Sequence, residues 1–399
     1  MRTSDLDRDA LIHRNIHMTK AFHTTGFRHR MRGLLLEMLR FIPVPTVRAD
    51  AHRILLIRPD HLGDVLLTTP AIKALRAAFP QAEIHALAGA WSAGVLASYP
   101  EIDMVLTLPF PAFTRQAEDS AWYVPYAMAL RSARHLRRVG YQSAVILRPD
   151  HWWGALLARL AGIPQRVGYD LPGVRNFVNE ALEFRQEHAV MQNLRLVEVL
   201  TGSPSAVEYE FPVNAADREY IDEYLHDRGV GYQQNVFCIH PGTGAWVKHW
   251  DVEKWATVAD TLTEQRDAEV VLTGSSHERA LVGSIATHMK NRPHLLAGDT
   301  TVGQLAALYA RARVVLGPDS GPLHLAAAVN GPTVALFGPA DPVEFAPWGT
   351  QEQHVVLASN IACRPCRVLD WADDNPAFHP CVREITVGQV LEAARLVAR

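Results

Sequence analysis

The stretch Arg53-Ile54-Leu55-Leu56-Ile57-Arg58-Pro59-Asp60-His61-Leu62-Gly63-Asp64 decides the fold. Its aliphatic start reads as a buried strand and its Pro59-to-Gly63 portion as a turn. The run 64–79 reads as a helix that Pro70 either kinks or restarts, with Thr69 as cap. The alternation continues with strands expected at 83–87, 104–108 and 144–147 and a helix at 152–161. After a polar stretch it begins again near Asn235, with strands at 236–239, 270–272, 314–316 and 333–337 between helices at 252–266, 277–288, 302–310 and 322–329. Such alternation is the pattern of parallel sheets covered by helices. The expected class is α/β: two doubly wound, Rossmann-like domains, 53–234 and 235–399, preceded by a basic extension, 1–52. Two such domains in tandem imply a cleft, with ligands near the carboxyl ends of strands.

The 399 residues hold 39 Lys and Arg against 42 Asp and Glu, a formal charge of -3, and 48% are hydrophobic. That balance suits a globular chain with two cores and gives no whole-chain electrostatic draw to nucleic acid. Four cysteines are too few for a disulfide-stapled scaffold and suit a reducing compartment. The charged N-terminal residues do not read as a secretory signal, and no apolar stretch approaches the roughly 18 residues of a spanning helix. A cytoplasmic address is expected. Residues 26–42 stand apart, with Arg28, Arg30, Arg32 and Arg40 against Glu37, interleaved with Leu34, Leu35, Leu36, Met38, Leu39 and Phe41. They read either as a helix packed on the first domain or as a basic amphipathic helix on an anionic membrane.

Three loops after strands concentrate chemistry. In the first, Gly63 permits a tight turn, and Asp64 is either an acid favoured at a helix entrance or a general base for an attacking hydroxyl. No Gly-x-Gly-x-x-Gly follows this strand, which argues against an ordinary nicotinamide enzyme. Arg58-Pro59-Asp60-His61 recurs as Arg148-Pro149-Asp150-His151, again just after a strand, too short an echo to establish a repeat. The second loop, 240–250, offers Gly242 and Gly244 for close backbone approach to an oxyanion, the Thr243 hydroxyl and the Lys248 charge, without P-loop spacing. Its bland reading is a solvated Lys248 and a core Trp250. The third is Gly317-Pro318-Asp319-Ser320-Gly321-Pro322-Leu323-His324, where Pro322 suits a first helical turn and Ser320 and Gly321 present amides to an anion. Singly, Asp319 reads as a turn residue and His324 as a packed histidine. Glu278 is either a ribose or adenine acceptor or a first-turn acid. Cys363-x-x-Cys366 with His379 and Cys381 has zinc-ligand types at a spacing that matches no standard zinc pattern, so buried reduced thiols are expected.

Together these loops resemble glycosyltransferase family 9, the ADP-heptose:lipopolysaccharide heptosyltransferases, over about 53–385. The resemblance rests on Gly63-Asp64 with its continuation Val65 to Pro70, on Lys248-His249-Trp250, on Asp319 to His324, and on Phe337-Gly338-Pro339-Ala340-Asp341-Pro342. Asp251 departs from it, standing where the family commonly has Pro, and the extension has no counterpart. The resemblance implies a GT-B fold and transfer of a heptose or related sugar from a nucleotide-diphosphate donor to an acceptor hydroxyl, with inversion. Thr243, Gly244, Lys248, Glu278, Asp319, Ser320, Gly321, Pro322 and His324 would face the donor; Asp64 would deprotonate the acceptor, with Arg58, His61 and Gly63 beside it. Lys248 would do the work a metal does in other transferases, so neither metal nor cofactor is expected. The implied acceptor is a lipid-linked core saccharide, which gives residues 26–42 a reason to meet the inner membrane. Transfer to an adhesin hydroxyl, a silent sugar-nucleotide binding module and a GT-B epimerase are the competing readings.

Overall fold

The computed structural model describes residues 27–47, 51–111, 113, 121–266, 268–369, 375 and 379–398. Residues 1–26 of the expected extension lie outside them. The chain divides into two compact units, the first running to Glu208 and the second from Tyr209.

In the first unit the described elements are helix α1 (Phe27–Leu39), β1 (Arg53–Arg58), α2 (Leu62–Leu66), α3 (Thr69–Ala78), β2 (Glu83–Ala88), α4 (Ala93–Leu96), β3 (Met104–Thr107), α5 (Val124–Val139), β4 (Ser143–Ile146), α6 (Trp152–Leu160), β5 (Gln165–Tyr169), β6 (Glu180–Leu182) and α7 (Ala189–Thr201). The sheet is parallel in the order β3-β2-β1-β4-β5-β6. Ile54, Leu55, Leu56 and Ile57 are buried because β1 lies in the middle of this sheet with helices on both faces. Pro70 restarts rather than kinks the helix: it sits in the first turn of α3, where its missing N–H costs nothing. The cap is Thr68, one residue before the Thr69 expected.

The second unit comprises α8 (Ala215–His226), β7 (Asn235–Ile239), a 3-10 turn at Trp246–Lys248, α9 (Val252–Arg266), β8 (Ala268–Gly274), a 3-10 turn at Ser276–Glu278, α10 (Arg279–His288), β9 (His294–Ala297), α11 (Val302–Arg311), β10 (Val314–Pro318), α12 (Gly321–Ala328), β11 (Thr333–Phe337), α13 (Pro342–Phe345), β12 (His354–Ala358) and α14 (Val387–Val397). Its order, β12-β11-β10-β7-β8-β9, repeats the first read in chain order. In both sheets the winding reverses between two central strands, β1 and β4 or β7 and β10, and that reversal is where doubly wound folds place ligands.

The expected division at Asn235 needs correction. Tyr209 donates its hydroxyl to the His324 carbonyl, the Phe211 amide donates to Ala328, and Tyr220 and Tyr224 of α8 donate to the Asp299 and Leu295 carbonyls. These bonds tie 209–234 to the second unit. The extension is likewise no separate body where it is described: Leu36, 2% exposed, belongs to the core cluster that contains Trp153 and Phe177. Arg159 donates to the Arg40 and Ile42 carbonyls, Arg137 to Pro45, and the Val47 amide to Gly162. No helix among the described residues is long and apolar enough to cross a membrane.

Candidate active-site loops

The loops after β1 and β4 meet because those strands are neighbours. Asp60 is buried there between two arginines, 2.8 Å from Arg58 Nε and bonded to Arg148 Nη1. Burial works to raise its pKa, but Arg58 and Arg148 prevail and hold the carboxyl below its ordinary range. Arg148 also pairs with Asp150 at 2.7 Å. Arg58 donates to the Leu147 carbonyl at 2.6 Å and approaches Asp64 Oδ1 at 3.5 Å. His151 is enclosed by Phe110, Phe113 and Trp153, and burial pushes it down to about 3, so it is neutral at physiological pH. Asp64 stands in the first turn of α2 with its side chain 38% exposed, and Gly63 beside it is buried. His61, exposed, leads into that helix, its ring 5.6 Å from Trp91. Arg58 therefore faces inward and reaches the site only through Asp64. Asp60, Arg148 and His151 form a buried cluster beside Asp64 that sequence reasoning did not assemble, and the signal was the four-residue echo itself, one copy behind each central strand.

The second unit builds its loops at the corresponding place. Strands β7 and β10 approach so closely there that a methyl on Gly317 would lie 2.6 Å from the His240 carbonyl oxygen. His240 is buried, its Nδ1 3.0 Å from the Thr273 hydroxyl and its Nε2 3.7 Å from Glu278. Burial pushes it down to about 4, against the pull of Glu278. Glu278 does act as a first-turn acid, forming a capping box with Ser275 in which its Oε2 accepts the Ser275 amide at 2.6 Å. Its carboxylate also lies over Gly242: a methyl there would be 2.0 Å from Oε1, so only glycine lets the acid rest on this loop.

Lys248 is no solvated surface lysine. It ends the 3-10 turn 14% exposed and donates to Asp319 Oδ2 at 2.6 Å and to the Asp319 carbonyl at 3.3 Å. Asp319, expected to be a turn residue or a sugar contact, is buried and is the partner of that ammonium. Beside the pair, Ser320 precedes α12 without capping it, and its sheltered Oγ meets no hydrogen-bonding partner among the described residues. Gly321 and Pro322 form the first turn, and His324 is buried in the next. Thr243 is half-buried and Gly244 exposed on the neighbouring loop. Trp250 is the core aromatic its bland reading described, packed edge-on against Trp255 at 4.7 Å.

The remaining motifs serve structure. Asp341 caps α13 and, with Glu344, holds Arg367, which ties the Phe337-to-Pro342 segment to the cysteine-bearing loop. Cys366 and Cys381 are buried, and among the described residues no group of three or more His, Cys, Asp or Glu is gathered to hold a metal.

Known proteins share the fold and the family. The chain is similar to lipopolysaccharide heptosyltransferase 3 of Escherichia coli strain K12, 30% identical over 318 residues that cover 76% of this chain and 88% of that protein. In fold it is similar to a glycosyl transferase family 9 structure from Veillonella parvula, with a TM-score of 0.73 and 22% identity over 88% of this chain and 99% of that one. It is also similar to E. coli ADP-heptose lps heptosyltransferase II, with a TM-score of 0.68 and 22% identity over 87% and 98%. These are GT-B architectures of two Rossmann-like domains. The profile of Glycosyltransferase family 9 (heptosyltransferase) matches residues 129–372, more than half the sequence, and the chain belongs to that family of enzymes.

Proposed function

We propose that this glycosyltransferase moves a heptose from ADP-heptose to a hydroxyl of a lipopolysaccharide-core acceptor, with inversion at the anomeric carbon and without a metal. The names of the E. coli relatives support the sugar, the donor and the acceptor class. The observation that carries the donor side is the Lys248–Asp319 pair beside the start of α12. An ammonium has three donors, and Asp319 takes two of them, so the third remains to meet a phosphate oxygen. The Ser320 hydroxyl and the first-turn amides of α12 add neutral donors to the same anion. Because Asp319 already balances Lys248, this loop attracts a diphosphate by directed donors more than by net charge. Glu278, held over Gly242, is placed to accept from a ribose hydroxyl or the adenine amino group.

On the acceptor side, Asp64 takes the proton of the attacking hydroxyl, whose oxygen forms the new bond to the anomeric carbon. The bond from that carbon to the diphosphate oxygen breaks, and its electron pair leaves with the nucleoside diphosphate, where the donors around Lys248 stabilise it. Attack opposite the leaving group inverts the centre. Arg58 acts through Asp64: at 3.5 Å it restrains the direction of the carboxylate.

A donor panel of ADP-heptose, UDP-hexoses and GDP-hexoses, assayed with a delipidated core oligosaccharide, tests the proposal. Nucleotide release with ADP-heptose, an inverted product and rates unchanged by EDTA are expected. Turnover confined to UDP- or GDP-hexoses, a retained configuration, or loss of activity on chelation overturns the corresponding part.

A further inference from the structure

Helix α1 buries Leu36 and leaves its other side unexplained. Met31, Leu34 and Met38, spaced by three and four residues, form an exposed stripe, and Phe41 and Ile42 continue it past the helix end, with Phe41 73% exposed. Leu36 lies about half a turn away from Leu34 at ~100° per residue, so the helix has an apolar face turned to the protein and another turned to solvent. A surface helix ordinarily carries polar groups on that second face.

The same helix touches a second feature of the unit through Arg32. Arg32 lies over the Trp152 ring at 5.5 Å, Trp152 meets Tyr126 at 5.8 Å, and Tyr126 meets Trp122 at 6.4 Å. Trp122 is 75% exposed, and Tyr123 next to it and Leu130 farther along α5 are also exposed. Exposed Trp and Tyr next to aliphatic residues suit the boundary between headgroups and acyl chains, where an amphipathic ring satisfies both sides. The charge around them is mostly positive: residues 27–42 hold Arg28, Arg30, Arg32 and Arg40 against Glu37, and residues 115–139 hold Arg115, Arg131, Arg134, Arg137 and Arg138 against Glu118 and Asp119. In a chain whose formal charge is -3, that is a local surplus.

We propose that α1 and the aromatic start of α5 form one docking face for an anionic phospholipid bilayer. The apolar stripe enters the headgroup boundary, the Trp122 and Tyr123 rings sit at it, and the arginines meet lipid phosphates. The face extends the lipid-linked acceptor proposed above and rests on that reading for its purpose, but its binding is measured without donor or acceptor.

The test is co-sedimentation of the full chain with vesicles of phosphatidylglycerol and phosphatidylethanolamine, or of phosphatidylcholine alone, at about 0.05 M and about 0.5 M salt. Binding at least roughly tenfold stronger to the anionic vesicles, weakened by salt, is expected. The triple variant Leu34→Asp/Met38→Asp/Phe41→Asp is expected to lose about tenfold or more, and Trp122→Ala/Tyr123→Ala roughly threefold. All these side chains are exposed, so near-ultraviolet circular dichroism and turnover of a delipidated acceptor should match the parent. Equal affinity for both vesicle types, or unchanged binding by the triple variant, overturns the proposal. A dimer that the triple variant abolishes, with no vesicle binding by the parent, also overturns it and assigns the face to a second copy. Absent heptosyl transfer alongside intact anionic binding would defeat the proposed activity and leave the face standing.

Discussion

The two units wind their strands in the same order and use the reversal point in opposite ways. Behind β1 and β4 the charges are mostly consumed internally: Arg58 and Arg148 close on buried Asp60, while Asp64 and Asp150 stand partly open. Behind β7 and β10 the buried Lys248–Asp319 pair sits among directed donors, with the Ser320 hydroxyl unpartnered among the described residues. One loop set is a rigid frame beside a partly exposed carboxylate and the other a polar cradle, so topology sets where the polar groups gather and side chains set their sign. The frame need not be a stabilising one. Buried ion pairs barely repay their desolvation, and their value lies in fixing geometry once formed.

That contrast can be broken from either side. Asp64→Ala is expected to lower turnover roughly 10²–10⁴-fold while donor affinity, read by calorimetry, stays. Unchanged turnover would remove Asp64 from the chemistry. Lys248→Ala should cost roughly 10²–10³-fold in kcat and weaken donor binding too. It also strands the Asp319 carboxylate, so the melting temperature should fall, and Lys248→Met/Asp319→Asn should recover part of that fall without the activity. Asp60→Asn removes the partner of two arginines and is expected to cost about 3–5 kcal/mol in denaturant unfolding. A loss under 1 kcal/mol would mean the frame is solvated.

Acidification probes both sides at once. His151 and His240, held neutral down to about 3 and about 4, refuse protons that the unfolded chain accepts below its ordinary pKa near 6.5. Each thereby removes roughly 3 kcal/mol of stability as pH falls from 6.5 to 4. Asp60, depressed in the native state, adds to the same loss at still lower pH. Unfolding midpoints across that range should fall with pH, and His151→Phe should flatten the slope; a slope unchanged in that variant would contradict the neutral burial of His151. Smallest of all, Gly242→Ala pushes against the flexible end of Glu278 and should raise the donor KM about tenfold, the worth of one hydrogen bond, with kcat kept.

The central strands were legible because burial on both faces leaves them runs of aliphatic residues, as at Ile54 to Ile57 and Val314 to Leu316. The edges were not. Strand β5 carries Arg166, whose guanidinium is spent on the Phe177 and Pro164 carbonyls, and β6 is three largely exposed residues. Helix α5 was hidden by its arginines. Within the candidate site, residue types were readable but pairings were not, since Lys248 and Asp319 lie 71 positions apart. The adjacency of β1 and β4, which turns a repeated Arg-Pro-Asp-His into one ion cluster, is a property of strand order that local pattern does not encode.

The seating of Leu36 has a practical corollary. Anyone trimming the chain to begin at residue 51, on the view that the sheet starts there, would uncover the ring of Trp152 and leave the guanidinium of Arg159 without the two carbonyls it now holds. The shortened protein should be stickier and less hardy for reasons unrelated to lipid, and a loss of vesicle affinity after such a cut would say nothing about how the intact enzyme meets its surface.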